Sequence, residues 1–151
     1  MAGSAAPEFS LPATGGKTIA LSDFAGRKLV IYFYPKDNTP GCTQEGLQFK
    51  ELHAEFVRLG ADILGVSRDS VKSHENFKAK MEFPFELISD PEELMCAAYG
   101  VMKLKNMYGK QVRGIERSTF VINEKGEISR EWRGVKVPGH AREVLEFVAT
   151  L

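Results

Sequence analysis

Apolar residues in this chain fall into two kinds of pattern that alternate along the sequence. Six consecutive apolar residues at 29–34, Leu-Val-Ile-Tyr-Phe-Tyr, are typical of a strand that is buried on both faces in the middle of a sheet. Residues 35–41 contain two prolines and several turn-forming residues, which predicts a loop. Apolar residues at helical spacing follow and predict a helix from about Cys42, with Gly60 ending it as a C-cap.

Strands and helices are predicted to alternate over most of the remaining chain. Two short strands are expected between Ala5 and Leu21, and a turn follows at 22–26. Beyond the first helix, the predicted elements are a strand at 61–66, a helix from Asp69 or Ser70 to about Lys80, a strand at 85–88, and a helix from 90–93 to Gly100. The residues of this last segment that are predicted to face inward are Leu94, Met95, Ala98 and Val101.

The pattern changes after residue 101. Residues 101–117 have no periodic apolar positions and are rich in charge and glycine, which predicts a long polar loop of a kind that is often functional. A hairpin at the sheet edge is expected next, from 117–122 through a turn to 127–133, with Ile128 and Trp132 on the same face.

A closing helix predicted at 139–151 completes the pattern of an α/β sandwich, in which helices flank a central mixed sheet. The chain has 151 residues, of which 43% are hydrophobic. That is enough for a sizeable core, so we expect a single domain over residues 1–151.

Charge and hydropathy exclude several function classes. Twenty Lys plus Arg balance twenty Asp plus Glu, so the chain lacks the positive excess expected of a protein that binds nucleic acid or an acidic membrane. No apolar run approaches the ~20 residues that span a bilayer, and the N-terminus lacks a leader pattern. We therefore expect a cytoplasmic protein, whose two cysteines are free or catalytic rather than part of a disulfide framework.

Cys42 lies where the chain has left a strand, passed through a loop and entered the first turn of a helix. Unpaired backbone N–H groups and the positive end of the helix dipole favour a thiolate at such a position. A lone cysteine at a helix start is nevertheless more often a small buried residue than a nucleophile. The residues around Cys42 favour the functional interpretation.

Pro35-x-x-x-Thr39-x-x-Cys42 resembles the active-site motif of the peroxiredoxins, and residues 34–45 resemble the bacterioferritin comigratory protein, or peroxiredoxin Q, branch. The resemblance implies a thioredoxin-like fold and a thiol peroxidase that reduces hydrogen peroxide and organic hydroperoxides without a cofactor. It identifies Cys42 as the peroxidatic cysteine and Thr39 and Arg117 as its partners. Further similar segments occur in the same order along nearly the whole chain, at 9–11, 21–24, 65–67, 99–101 and 117–120.

A lowered thiol pKa alone does not explain a fast peroxidase. The gain in thiolate fraction is nearly offset by the accompanying loss of intrinsic nucleophilicity. The rate must come from holding the peroxide in line with the sulfur and stabilising the charge that builds on the leaving oxygen. The groups predicted to do this are the Thr39 hydroxyl, the N–H groups of Gly41 and Cys42, and the guanidinium of Arg117, with Glu45 orienting the arginine and Pro35 shaping the pocket.

The recycling step depends on a second thiol. In this branch a resolving cysteine commonly lies five or about thirty-six residues after the peroxidatic one, where this chain has Leu47 and Lys78. Cys96 lies in an apolar helical segment and is interpreted as inert packing. We therefore predict a monomeric one-cysteine enzyme that an external thiol recycles, either glutathione with glutaredoxin or a thioredoxin; a two-cysteine enzyme in which Cys96 resolves stays open.

Two other classes of function use the same cysteine. A redox sensor or holdase would use oxidised Cys42 to change its affinity for a partner. A cysteine hydrolase would need a histidine base, but His53 is eleven residues down the predicted helix, or ~16 Å along its axis. The three histidines also show no metal-ligand spacing, so no metal site is predicted.

Overall fold

The structure is a computed structural model that describes residues 3–151, and its fold is of the α/β class. Its strands are β1 (Ser10–Ala13), β2 (Lys17–Ala20), β3 (Lys28–Phe33), β4 (Ala61–Ser67), β5 (Glu86–Ser89), β6 (Met102–Met107), β7 (Lys110–Ile115), β8 (Ser118–Ile122) and β9 (Ile128–Arg133). Its α-helices are α1 (Pro40–Arg58), α2 (Val71–Met81), α3 (Leu94–Ala98) and α4 (His140–Val148). Single 3-10 turns lie at Thr14–Gly16 and Leu21–Phe24.

Seven of these strands form one mixed sheet in the order β2-β1-β5-β4-β3-β8-β9. The strands β3, β4 and β5 are parallel, whereas β8 runs antiparallel to β3. This arrangement confirms the predicted mixed sheet flanked by helices and places β3, with most of the apolar run 29–34, in the interior of the sheet between β4 and β8. The β9 strand lies at the edge, as predicted.

The strand β3 contributes to two hydrophobic cores, one on each face of the sheet. Its side chains point alternately to one face of the sheet and to the other, because successive residues of a strand face opposite ways. The α1-side core contains Val30, Tyr32, Tyr34, Cys42, Phe49, Phe56, Phe77 and Val144. The α3-side core contains Leu29, Ile31, Phe33, Val66, Met95, Cys96, Tyr99 and Phe120.

Helix boundaries follow the expected capping chemistry. Gly60 has φ +74° just beyond the last turn of α1, a left-handed conformation that glycine adopts without steric cost. The Ser70 hydroxyl accepts a hydrogen bond from the Ser73 backbone N–H at 3.1 Å, so Ser70 is the N-cap of α2. Among the described residues, no helix is long and apolar enough to cross a membrane.

The prediction of a polar loop over 101–117 is wrong. This stretch forms the antiparallel hairpin of β6 and β7, closed by Tyr108 (φ +53°) and Gly109 (φ +78°). Two successive left-handed residues are typical of a tight two-residue hairpin turn. The side chains of the ribbon are mostly exposed on both faces, so no apolar alternation marks it in the sequence.

Two predictions of side-chain direction are also wrong. Leu94 and Ala98 are exposed on α3. This helix begins only at Leu94, because the left-handed conformation of Glu93 (φ +63°) interrupts the helical backbone before it. Ile128 and Trp132 lie against opposite faces of the sheet. The physical reason is a register shift between Val121 and Ile122, a β-bulge that reverses the alternation of the partner strand.

Candidate active site

Cys42 is the third residue of α1, and its side chain lies in the α1-side core. Thr39 is the N-cap and Pro40 the first helical residue, a position where the missing proline N–H costs no hydrogen bond. The first turn is closed by a 2.9 Å hydrogen bond from the Thr43 N–H to the Thr39 carbonyl. Only 1% of Cys42 is exposed, so this turn holds the sulfur inside the protein.

Arg117 reaches Cys42 through the register of the sheet. Phe33 at the end of β3 lies opposite Ser118 at the start of β8, so Arg117 emerges beside the loop that leads to α1. Its Nη2 lies 3.5 Å from the Cys42 Sγ. A Cβ at Gly41 would lie only 3.1 Å from the same Nη2, so the absence of a side chain at Gly41 allows the guanidinium to approach.

Glu45 lies one helical turn beyond Cys42 and orients the arginine. Its Oε1 accepts a hydrogen bond from Arg117 Nη1 at 2.7 Å, and the glutamate side chain is 1% exposed. Burial raises the pKa of Glu45 to about 7, although the neighbouring Arg117 acts in the opposite direction. Burial alone would lower the pKa of Arg117, but Glu45 and Cys42 reverse this and raise it.

Thr39 and Pro35 lie in the loop that precedes α1. The Thr39 hydroxyl donates to the Lys36 carbonyl at 2.8 Å, so in this structure its proton is directed into the loop. Pro35 is half-buried where the chain leaves β3. The structure thus groups the sulfur with Gly41, Glu45 and Arg117, while the Thr39 hydroxyl is engaged by the backbone.

Lys105 lies near Cys42 and Arg117, although the sequence pattern predicts a polar loop over residues 101–117. It extends from β6 and donates to the Ile115 carbonyl. Burial lowers the pKa of Lys105, and the nearby Arg117 lowers it further, while Cys42 opposes the shift. Its position depends on the hairpin, for which the sequence carries no periodic signal.

Cys96 lies on the opposite side of the sheet from Cys42. Its side chain is fully buried in the α3-side core, and its backbone N–H donates to Asp90 Oδ2 at 2.8 Å. Burial raises the pKa of the Cys96 thiol, and the Asp90 carboxylate raises it further. The central sheet therefore separates the two cysteines, and both are free thiols.

The buried histidines have partners other than Cys42. His140 Nε2 lies 2.8 Å from the Thr119 hydroxyl, and burial lowers the pKa of His140 to about 4. His74 Nδ1 lies 2.7 Å from Asp37 Oδ2. A ring nitrogen of His74 and carboxylate oxygens of Asp37 and Asp69 lie within 4.8 Å of one another. The spacing of the histidines in the sequence did not predict this cluster.

The mixed sheet, with a buried cysteine in the first turn of a helix and an arginine 3.5 Å from its sulfur, is the arrangement that the resemblance to the peroxiredoxins implies. The sequence matches the AhpC/TSA family over residues 2–131, and the chain therefore belongs to that family. Together with its peroxiredoxin relatives, this makes it a thiol peroxidase and confirms the resemblance seen in the sequence.

The individual relatives belong to one branch of peroxiredoxins. Peroxiredoxin Bcp of Xanthomonas campestris is 59% identical over 93% of this chain and 89% of its own length. Peroxiredoxin Bcp of Bacillus subtilis is 47% identical over 95% of this chain and 92% of its own. A trapped intermediate/ligand complex of the X. campestris bacterioferritin comigratory protein has a TM-score of 0.90 at 56% identity, covering 94% of this chain and 90% of that one.

Proposed function

We propose that Cys42 is the peroxidatic cysteine of a one-cysteine thiol peroxidase. The observation that carries the proposal is the 3.5 Å contact between the Arg117 guanidinium and the Cys42 sulfur. A guanidinium stabilises both a thiolate and the negative charge that develops on a leaving oxygen. Because Arg117 is in turn fixed by Glu45, its position is set before the peroxide arrives.

The oxidation step follows from this geometry. The Cys42 thiolate attacks one peroxide oxygen, the S–O bond forms, and the O–O bond breaks. The leaving oxygen takes a proton and departs as water or an alcohol, while the sulfur becomes a sulfenic acid. We assign stabilisation of the leaving oxygen to Arg117 and to the N–H groups of Gly41 and Cys42, and shaping of the pocket to Pro35. Thr39 would contribute its hydroxyl oxygen, which can accept a hydrogen bond from the peroxide while the hydroxyl donates to the Lys36 carbonyl.

The recycling step requires a thiol from outside the chain. This thiol attacks the sulfenic sulfur, an S–S bond forms, and the oxygen leaves with a proton as water. A second external thiol then attacks the outer sulfur of this mixed disulfide, so that a disulfide forms between the two external thiols and the bond to Cys42 breaks, which regenerates the Cys42 thiol. The position of Cys96 across the sheet supports this route, because a disulfide requires Cα atoms within ~7 Å.

We propose the classes of substrate and reductant from the chemistry of the reaction and from a related protein. The X. campestris bacterioferritin comigratory protein is described by its alkyl peroxide reduction activity, which supports alkyl hydroperoxides beside hydrogen peroxide here. For the reductant we propose glutathione with glutaredoxin, or a thioredoxin, acting on a monomer whose residues 1–151 form one domain. Comparing peroxide consumption with each reductant in turn identifies the one used.

Mass spectrometry tests the one-cysteine route. Wild type and Cys96→Ser are treated with one equivalent of peroxide and then with a sulfenic-acid trap. We expect both proteins to give the trapped adduct at Cys42 and to turn over equally with an external thiol. Rapid formation of a Cys42–Cys96 disulfide, with loss of turnover in Cys96→Ser, would overturn the route. Oxidation without turnover by any thiol would favour a redox sensor instead.

A further inference from the structure

A buried polar cluster lies beneath the loop at residues 35–39. The cluster consists of Tyr34, Asp37, Asp69, Ser73 and His74. Asp37 is buried between two exposed neighbours, because the next residue, Asn38, adopts φ +63° and turns the chain. The loop therefore directs a carboxylate inward, toward α2, just before Cys42.

The Asp37 carboxylate accepts hydrogen bonds from two elements. The Tyr34 hydroxyl, at the end of the central strand, donates to Oδ1 at 2.7 Å. From α2, the Ser73 hydroxyl lies 2.8 Å and His74 Nδ1 2.7 Å from Oδ2. These three contacts hold the Asp37 carboxyl group between the end of β3 and α2.

His74 has an acceptor at each ring nitrogen. Nδ1 faces the Asp37 carboxylate, and Nε2 lies 2.9 Å from the Ile88 carbonyl of β5. These two contacts hold the imidazole ring between the Asp37 carboxyl group and β5. The two side chains are 0% and 1% exposed. The other carboxylate facing this pair, Asp69, accepts from the Asp37 backbone N–H.

A continuous set of contacts connects this pair with the first turn of α1. Asp37 fixes the loop, the Lys36 carbonyl in that loop accepts from the Thr39 hydroxyl, and the Thr39 carbonyl accepts from the Thr43 N–H. Because Cys42 is 1% exposed, an external thiol reaches its oxidised sulfur only after this turn opens. Whatever holds the loop therefore opposes opening.

We propose that His74 is a positioning residue of the Cys42 site: through its contact with Asp37, it favours the closed, peroxide-reactive turn over the open, thiol-accessible one. This inference rests on the proposed peroxidatic role of Cys42. It predicts that loss of the pair changes the two half-reactions in opposite directions. Oxidation of Cys42 by peroxide slows, whereas reduction of the oxidised sulfur by an external thiol accelerates.

The kinetic test uses His74→Gln and His74→Asn, with dithiothreitol as the thiol. We expect at least a tenfold lower peroxide rate and a higher rate of sulfenic-acid reduction in each variant. Ser73→Ala is the matched control, because it removes a contact of a half-buried side chain to the same Asp37 oxygen and leaves the fully buried His74 in place; its changes should be several-fold smaller. A parallel fall of both rates would assign His74 a merely structural role.

Two measurements on the reduced protein separate this inference from the peroxidase proposal. Hydrogen exchange should accelerate at least tenfold at the amides of residues 43–45 in the His74 variants and stay unchanged in α4; equal acceleration in both places would overturn the inference. Nitrogen NMR of wild type should show that added Zn²⁺ leaves the His74 ring resonances unshifted. A shift of these resonances to a bound form would assign the cluster to a metal ion and overturn the inference.

Discussion

The two cysteines are equally buried, but the charged groups that surround them have opposite signs. Cys42 is 1% and Cys96 0% exposed. Cys42 lies in the first turn of a 19-residue helix with a guanidinium at 3.5 Å. Cys96 lies in a short helix beside Asp90, a fully buried carboxylate.

Under the proposed function, burial alone does not decide whether a cysteine reacts. A positive partner and a helix start stabilise an anionic sulfur and the charge of a transition state. A carboxylate beside the thiol does the reverse, because it favours the protonated form of Cys96. We propose that the charge of the neighbouring side chain, set by the fold, separates the peroxidatic cysteine from a packing residue.

Replacing the sulfur of Cys42 is expected to have the largest effect. Cys42→Ser should abolish peroxide reduction, because a hydroxyl is not ionised at neutral pH and is a poor nucleophile toward peroxide. Peroxide consumption under saturating thiol measures this, and near-ultraviolet circular dichroism checks that the fold survives. Retention of more than a small fraction of the activity would contradict the assignment.

Removing the positive partner should have the next largest effect. Arg117→Ala is expected to lower the peroxide rate by ~10²–10³, the usual loss for a transition-state donor. Alkylation by iodoacetamide should fall much less, because it needs the thiolate but no leaving oxygen to be stabilised. Arg142→Ala, which changes an exposed residue of α4, is the control. Equal losses in both reactions would mean that Arg117 affects only ionisation of the sulfur.

The glutamate beside Arg117 should make stability depend on pH in an unusual direction. The pKa of Glu45 is about 7 in the folded protein against 4.5 ordinarily, so between these pH values the folded state holds a proton that the unfolded state has lost. This contribution is present below pH 4.5 and is lost as the pH rises to 7, by about 2–3 kcal/mol.

Urea unfolding of Glu45→Gln at pH 5 and pH 7.5 measures this contribution. The variant should become more stable relative to wild type as the pH rises across that interval. Glu51→Gln, which changes an exposed carboxylate of the same helix, should follow wild type. An unchanged pH dependence in Glu45→Gln would show that this carboxyl does not titrate in that interval.

The smallest expected effect is at the second cysteine. Cys96→Ala removes one buried sulfur from the α3-side core and should lower the free energy of unfolding by about 1 kcal/mol. The peroxide rate should not change, since the central sheet separates this position from Cys42. A rate loss larger than threefold in a folded Cys96→Ala protein would show that the two regions are coupled.

Local patterns determined much of the fold in advance. The run 29–34 predicted the central strand, and the loop and helix that follow it placed Cys42 in a first turn, as observed. The ribbon at 101–117 was missed because both of its faces are largely exposed, so its strands carry no periodic burial signal. The bulge that separates Ile128 from Trp132 was missed because one unpaired residue reverses the alternation without a marker in the sequence.

By itself, the sequence determined the family of this thiol peroxidase and proposed Cys42 and Arg117 as its site residues, because the motif around Cys42 is local and Arg117 belongs to a recognisable segment. Only the tertiary structure decided which charged side chains lie next to each cysteine. The register of β3 and β8 brings Arg117 to the sulfur, and the sheet places Cys96 on the other side. The inward turn of Asp37 onto His74 likewise joins residues that are 37 positions apart. Contacts of this kind depend on long-range packing, which short-range patterns do not encode.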